Sequence, residues 1–197
     1  MTTTSLETDN TERWHAMAIL PHYAPLFAHV ANELVANKAR YLQTQVDTRV
    51  PWAIVAVIHE REASQSWAAN LAQGDPWDRP SIHVPRGRGP FHSWEAAACD
   101  ALLKCPPYTG QNDDWSIGGA LVALEEYNGL GYEKYHHMAS PYLWAGTSQY
   151  TRGKYVADGH FDPEAVDHQL GCAGLLRAMM ALDDTITFAS TTTTTET

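Results

Sequence analysis

The sequence predicts a mainly α-helical single domain with a small loop or β-hairpin lobe, and three observations lead there. Apolar residues recur at three- and four-residue spacing through several long stretches, most densely from Pro51 to Gln65. Between Leu71 and Pro90 that period stops, and four prolines and three glycines make a continued helix impossible. The chain of 197 residues is 44% hydrophobic, enough for one substantial core. The domain is placed at 11–189, with polar ends 1–10 and 190–197 expected as disordered tails.

A first helical region is expected from Thr11 to Asn37, interrupted near Pro21 to Pro25, and a long helix from Pro25 to Val46. After a short connector, Pro51 suits the first position of the next helix, because its missing N–H has no intrahelical partner there. In the lobe, Gly74-Asp75-Pro76 reads as a turn and Ser81 to Val84 as a brief strand. Ser93 is an N-cap candidate, and Glu95 suits the helix dipole of the first turn. The segment Ser116 to Tyr127 is helical in pattern despite Gly118 and Gly119, which cost roughly 1 kcal/mol each relative to Ala and point to a close helix contact. Asn128, Gly129 and Gly131 end it in residues that tolerate positive φ. The stretch 140–163 has no clear period and reads as an ordered aromatic loop, and Asp162 or Pro163 opens a final helix over Glu164 to Leu182.

The totals exclude some partners. A net charge of −10, with no cluster of Lys and Arg, argues against nucleic acid. No run of 18 apolar residues predicts membrane insertion, and no N-terminal apolar segment reads as a signal peptide. The protein is therefore expected to be a cytoplasmic monomer until it is released or exported to the cell envelope by another route. Cys99, Cys105 and Cys172 lack metal-ligand spacing with the histidines; Cys105 and Cys172 could pair, or all three could be reduced. No metal or cofactor is expected.

The chemistry concentrates where the apolar helix meets the cluster His59, Glu60, Arg61, Glu62. On a helix, His59 and Glu62 share the face of Val55, whereas Glu60 points about 200° away from Glu62. A carboxyl at the end of a buried stripe is what a general acid needs, since partial desolvation raises its pKa. It is equally what an ion pair with Arg61, Arg86 or Arg88 would look like. His59 could orient the acid or be a core histidine; no pair of histidines four apart makes a zinc motif.

Five pieces of the chain carry a resemblance: IHEREAS at 58–64, NLAQGDP at 70–76, VPRGRGPFHSWEAAACDAL at 84–102, LEEYNGLGY at 124–132 and SPYLWAGTSQYTRGKYVADG at 140–159. In this order they resemble the bacterial and phage lysozyme-like proteins, and more distantly goose-type lysozymes and soluble lytic transglycosylases. The resemblance implies a lysozyme-like helical domain with the lobe flanking a cleft, and cleavage of the bond from N-acetylmuramic acid to N-acetylglucosamine in peptidoglycan glycan strands. Glu62 is then the candidate general acid, with Glu60 as the competing assignment and Asp75 as the candidate base. His59, Tyr127, Asn128, Tyr142, Trp144 and Tyr155 are the candidate substrate-binding residues. A lytic transglycosylase would use the same glutamate, and a non-catalytic peptidoglycan-binding module is the other reading. The departure from the family pattern is Ala63, where a serine would stand beside the acid.

Overall fold

The computed structural model describes residues 3–72, 74–83 and 85–189. It is mainly helical, with one small two-stranded antiparallel sheet. At its centre lies α4 (Trp52–Ala63), in which every residue from Trp52 to His59 is buried. A helix buried on all sides needs neighbours on all sides. They are α3 (Lys38–Thr48), α6 (Ile117–Asn128) and α9 (Cys172–Met180). Pro51 stands one position earlier than its sequence suggested: it is the extended N-cap (φ −54°, ψ 137°), and the helix begins at Trp52.

The N-terminal segment departs from expectation most. Residues expected as a loose tail belong to α1 (Thr3–Ala16), which packs on α6. Leu6, Asn10 and Trp14, four apart, form its buried face, and Asn10 Nδ2 donates to Glu125 Oε2 at 2.9 Å. Gly118 explains the approach, since a Cβ there would stand 2.5 Å from Thr11 Oγ1 and 2.7 Å from Glu7 Cγ. The close helix contact expected from the glycines is found at Gly118, whose neighbours are Thr11 and, from the expected tail, Glu7; Gly119 meets Asp114 instead. The other expected tail, 190–197, lies outside the described residues.

The long helix expected from Pro25 to Val46 is two, α2 (Ala24–Ala36) and α3, separated at Asn37. There the side-chain Nδ2 donates to Glu33 O at 2.9 Å, a local bond that competes with helix continuation. Ser93 caps α5 (Trp94–Lys104), accepting from Ala96 N, and Ser116 caps α6, accepting from Gly119 N. Past Gly129 (φ 92°) the YNGLGY turn runs into α7 (Gly131–His136), and α8 (Pro141–Trp144) is one turn long.

The hairpin lies in the aromatic stretch and not in the Pro-rich lobe. Strand β1 (Lys154–Ala157) pairs with β2 (His160–Asp162), joining Lys154 to Asp162 and Tyr155 to Phe161, with a bulge between Tyr155 and Ala157. Its turn, Asp158-Gly159, has Gly159 at φ 68°, a hairpin signal present in the sequence. In the lobe, residues 81–83 form no strand, because the N–H groups of Ile82 and His83 go to the Asp75 carboxylate; Val84 lies outside the described residues. Helix α9 starts at Cys172, eight residues later than Glu164. Residues before it bond to distant groups: Asp167 N donates to Tyr150 Oη at 3.0 Å, and Gln169 Nε2 to Arg61 O at 2.8 Å. Cys99, Cys105 and Cys172 are all unpaired. No helix among the described residues is long and apolar enough to cross a membrane.

Candidate active site

Glu62 occupies the last turn of α4, half-buried, where the buried stripe runs out. Tyr142 of α8 donates its hydroxyl to Glu62 Oε1 at 2.9 Å. Among the described residues Glu62 makes no ion pair. Arg61 turns the other way, with Nη2 at 3.2 Å from Asp167 Oδ2 and Nη1 donating to the carbonyls of Gln169 and Leu170. Arg88 forks onto Asp100 instead. The salt-bridged alternative for Glu62 thus falls away. Burial raises the Glu62 carboxyl above its ordinary range, opposed by the Tyr142 hydrogen bond and by the nearby Arg61 charge. The carboxyl is held by a neutral donor in a place that favours its protonated form.

Glu60 is on the far side of the same helix turn, as the helical phase predicted. It accepts from Gln65 Nε2 at 3.0 Å, and burial raises it too, with Glu33 as a like-charged neighbour. Among the described residues no hydrogen bond or ion pair links it to Tyr142 or to the lobe turn.

His59 is not a substrate-binding residue. It is 0% exposed, and both ring nitrogens are used. Nε2 lies 3.1 Å from the Ser66 carbonyl, which can only accept, so Nε2 carries the hydrogen and Nδ1 accepts from Tyr41 Oη at 3.0 Å. Burial lowers its pKa to about 4, and the ring sits neutral against Trp67 and Trp94. Its work is to fasten the start of the lobe to α4.

Trp144 is also corrected: it is 0% exposed in the core and offers no face to a sugar. Tyr142, 3% exposed, is no platform either, but its hydroxyl reaches the acid. Tyr127 of α6 donates its hydroxyl to Leu71 O at 3.0 Å and thereby ties the helical body to the lobe. Burial and then the Glu62 charge push its phenol up, which puts Tyr127 within electrostatic reach of the acid. Asn128 is exposed and Tyr155 half-buried, its hydroxyl 3.0 Å from His136 Nε2. Both line an open cleft of about 480 Å³ between the α6–α7 turn and the hairpin, together with Arg61, Tyr132, Lys154 and Asp167. Glu62 is one residue from Arg61 and outside that lining.

Asp75 is 6% exposed, with Oδ1 2.7 Å from His83 Nδ1 and Oδ2 accepting from Ile82 N and His83 N, each at 3.0 Å. These bonds, led by the His83 N–H, hold its pKa below the usual carboxylate range. As the candidate base that activates water, Asp75 is held by three hydrogen bonds within the lobe. The missing hydroxyl at Ala63 is not replaced by Ser64, which is exposed and closes α4 in the left-handed conformation (φ 46°).

Two features escaped the sequence reading. Arg61, Asp167 and Lys154 form an ion-pair group joining α4 to the segment before α9, with Arg61 also 4.7 Å above the Tyr142 ring. Arg61 and Asp167 are 106 positions apart, which leaves no local signal. The second is the Asp75–His83 pair, hidden in a loop where Asp75 reads as a turn residue. Among the described residues no three His, Cys, Asp or Glu side chains gather as a metal site. No family model matches the chain, and neither does a curated protein or a solved structure.

Proposed function

We propose that the protein is a lysozyme-like muramidase, cleaving peptidoglycan glycan strands at the N-acetylmuramic acid to N-acetylglucosamine bond with Glu62 as general acid. The observation that carries this is the state of Glu62: a half-buried carboxyl with a raised pKa, no ion-pair partner among the described residues, and a tyrosine hydroxyl fixing one oxygen. Such a group keeps its proton to a higher pH than an ordinary glutamate and can hand it to a departing sugar oxygen. The five motif segments supply the substrate class, by resemblance. The test is Glu62→Gln: turbidity loss on purified cell walls should fall by a factor of about 100 or more, the general-acid contribution, with the thermal midpoint unchanged. Full activity in that variant, or loss only in Glu60→Gln, overturns the assignment.

The engagement of Asp75 favours a second reading, a lytic transglycosylase, because that reaction needs no separate carboxylate base. There the substrate's own C6 hydroxyl attacks, and Glu62 serves as acid and then base. Mass spectrometry of the released fragments separates the two, since a hydrolysed end and a 1,6-anhydro end differ by one water.

A further inference from the structure

The turn from Asn70 to Asp75 has contacts on two sides. On one, a Cβ at Gly74 would stand 3.4 Å from the Glu62 carbonyl oxygen, and the Leu71 carbonyl takes the Tyr127 hydroxyl. On the other, Asp75 holds His83 by both its backbone N–H and its ring. Consecutive Cα atoms are about 3.8 Å apart, so one peptide unit separates the residue that meets the Glu62 main chain from the residue that holds the histidine.

The pair has an asymmetry. The Asp75 side chain is 8% exposed and the His83 side chain 69%. A carboxylate already accepting two N–H bonds acts on the ring as an acceptor, so Nδ1 donates and the lone pair of the neutral ring is on Nε2. Nε2 has no protein partner among the described residues. A buried carboxylate that sets the tautomer and leaves the other nitrogen of an exposed ring without a partner is the arrangement by which a histidine is made a base. Turn chemistry alone would account for an aspartate before Pro76, but not for its grip on a ring eight residues later.

Resting on the reading of Glu62 as a glycan-cleaving acid, we propose that His83, oriented by Asp75, is the base that takes a proton from the attacking water. The water oxygen bonds to the anomeric carbon as the bond from that carbon to the bridging oxygen breaks. Glu62 gives its proton to the bridging oxygen, and His83 Nε2 takes one from the water. One water is consumed, the imidazolium returns its proton to solvent, and Glu62 is reprotonated from solvent. Asp75 is the positioning residue. Attack from the face opposite the leaving group gives a product of inverted anomeric configuration.

The experiment compares the full chain with His83→Ala, Asp75→Asn and Glu62→Gln on purified walls, with and without sodium azide. Azide attacks carbon without surrendering a proton, so it replaces water where the base is missing. His83→Ala is expected to release hydrolysed fragments about 100-fold more slowly, with wall cosedimentation and thermal midpoint unchanged. Azide should restore cleavage and appear at the anomeric carbon. Asp75→Asn should slow the reaction and be restored by azide too, which a purely structural loss would not be. A wild-type rate in His83→Ala, a loss that azide leaves untouched, or wild-type products with only 1,6-anhydro ends each overturns the role of His83. Those outcomes beside an inactive Glu62→Gln leave the acid assignment standing, whereas a fully active Glu62→Gln removes the reading beneath it.

Discussion

Glu62 and Glu125 are the same side chain in similar electrostatic settings with different access. Both sit in helices, burial is the largest influence raising each carboxyl, and each accepts one side-chain hydrogen bond of 2.9 Å, from Tyr142 and from Asn10. Glu125, however, is 2% exposed and sealed beneath α1, while Glu62 is half-buried at the free end of α4 beside the lobe turn. Burial sets how tightly a carboxyl keeps its proton. Position decides whether a substrate oxygen can take it. The proton of Glu62 should therefore be read in rate, and that of Glu125 in stability.

The strongest way to break this contrast is the pair of amide substitutions. Glu62→Gln should remove about 100-fold or more of the wall-cleaving rate, while Glu125→Gln should leave the rate within about twofold. Equal losses would mean that a raised carboxyl marks the interior and not the site.

Stability should show the converse. The folded pKa of Glu125, about 7, stands above its ordinary 4.5, with Glu133 raising it and Asn10 and Arg13 lowering it. A group raised in the folded state gives its full contribution below about pH 4.5 and loses it as pH rises through about 7. A displacement of that size corresponds to on the order of 3 kcal/mol. Denaturant unfolding at pH 5 and pH 8 should show the wild type losing more stability over that window than Glu125→Gln. The variant keeps an oxygen for Asn10, so a difference between the two proteins that does not change with pH would deny Glu125 this role.

Tyr142→Phe tests what holds the acid. The hydroxyl favours the ionised carboxylate, so its loss should raise the Glu62 pKa further. A general acid works while protonated, and the alkaline limb of the pH dependence of kcat/KM should therefore move to higher pH. The rate at the optimum should fall by about tenfold or less, because the proton donor itself remains. An unmoved limb would separate Tyr142 from the acid.

How much of this was legible depended on range along the chain. The period of Trp52, Val55 and Ile58 located α4 and put Glu62 and Glu60 on different faces, because helical phase is local. Ser93 declared its cap three residues ahead. Helix α1 was missed because its polar composition resembles a tail, and its buried face needs Glu125, 115 positions away, to be recognised. His59 showed the right face but not its depth, since the residues that close over it, Tyr41, Trp67 and Trp94, come from three separate segments. The expected final helix is too long because Val166 and Leu170 fit a helical stripe, while the groups that bond the backbone there, the Arg61 guanidinium of α4 and the Tyr150 hydroxyl, are outside the segment.

The smallest effect separates the two tyrosines near the acid. Tyr127 feels the Glu62 charge, yet its hydroxyl donates to Leu71 O, on the lobe. Tyr127→Phe leaves that carbonyl without this donor at a cost of about 1 kcal/mol, a fall of roughly 2–4 °C in the thermal midpoint for a chain this size. The pH limb that moves in Tyr142→Phe should stay in place here, because Tyr127 gives Glu62 no hydrogen bond. Amide exchange should quicken in the Asn70–Asp75 turn, where Asn70 N donates to Asp75 O and Gly74 N to Asn70 O, and stay slow in α6. A shifted limb with an unchanged turn would reverse the two roles and make Tyr127 the residue that tunes the acid.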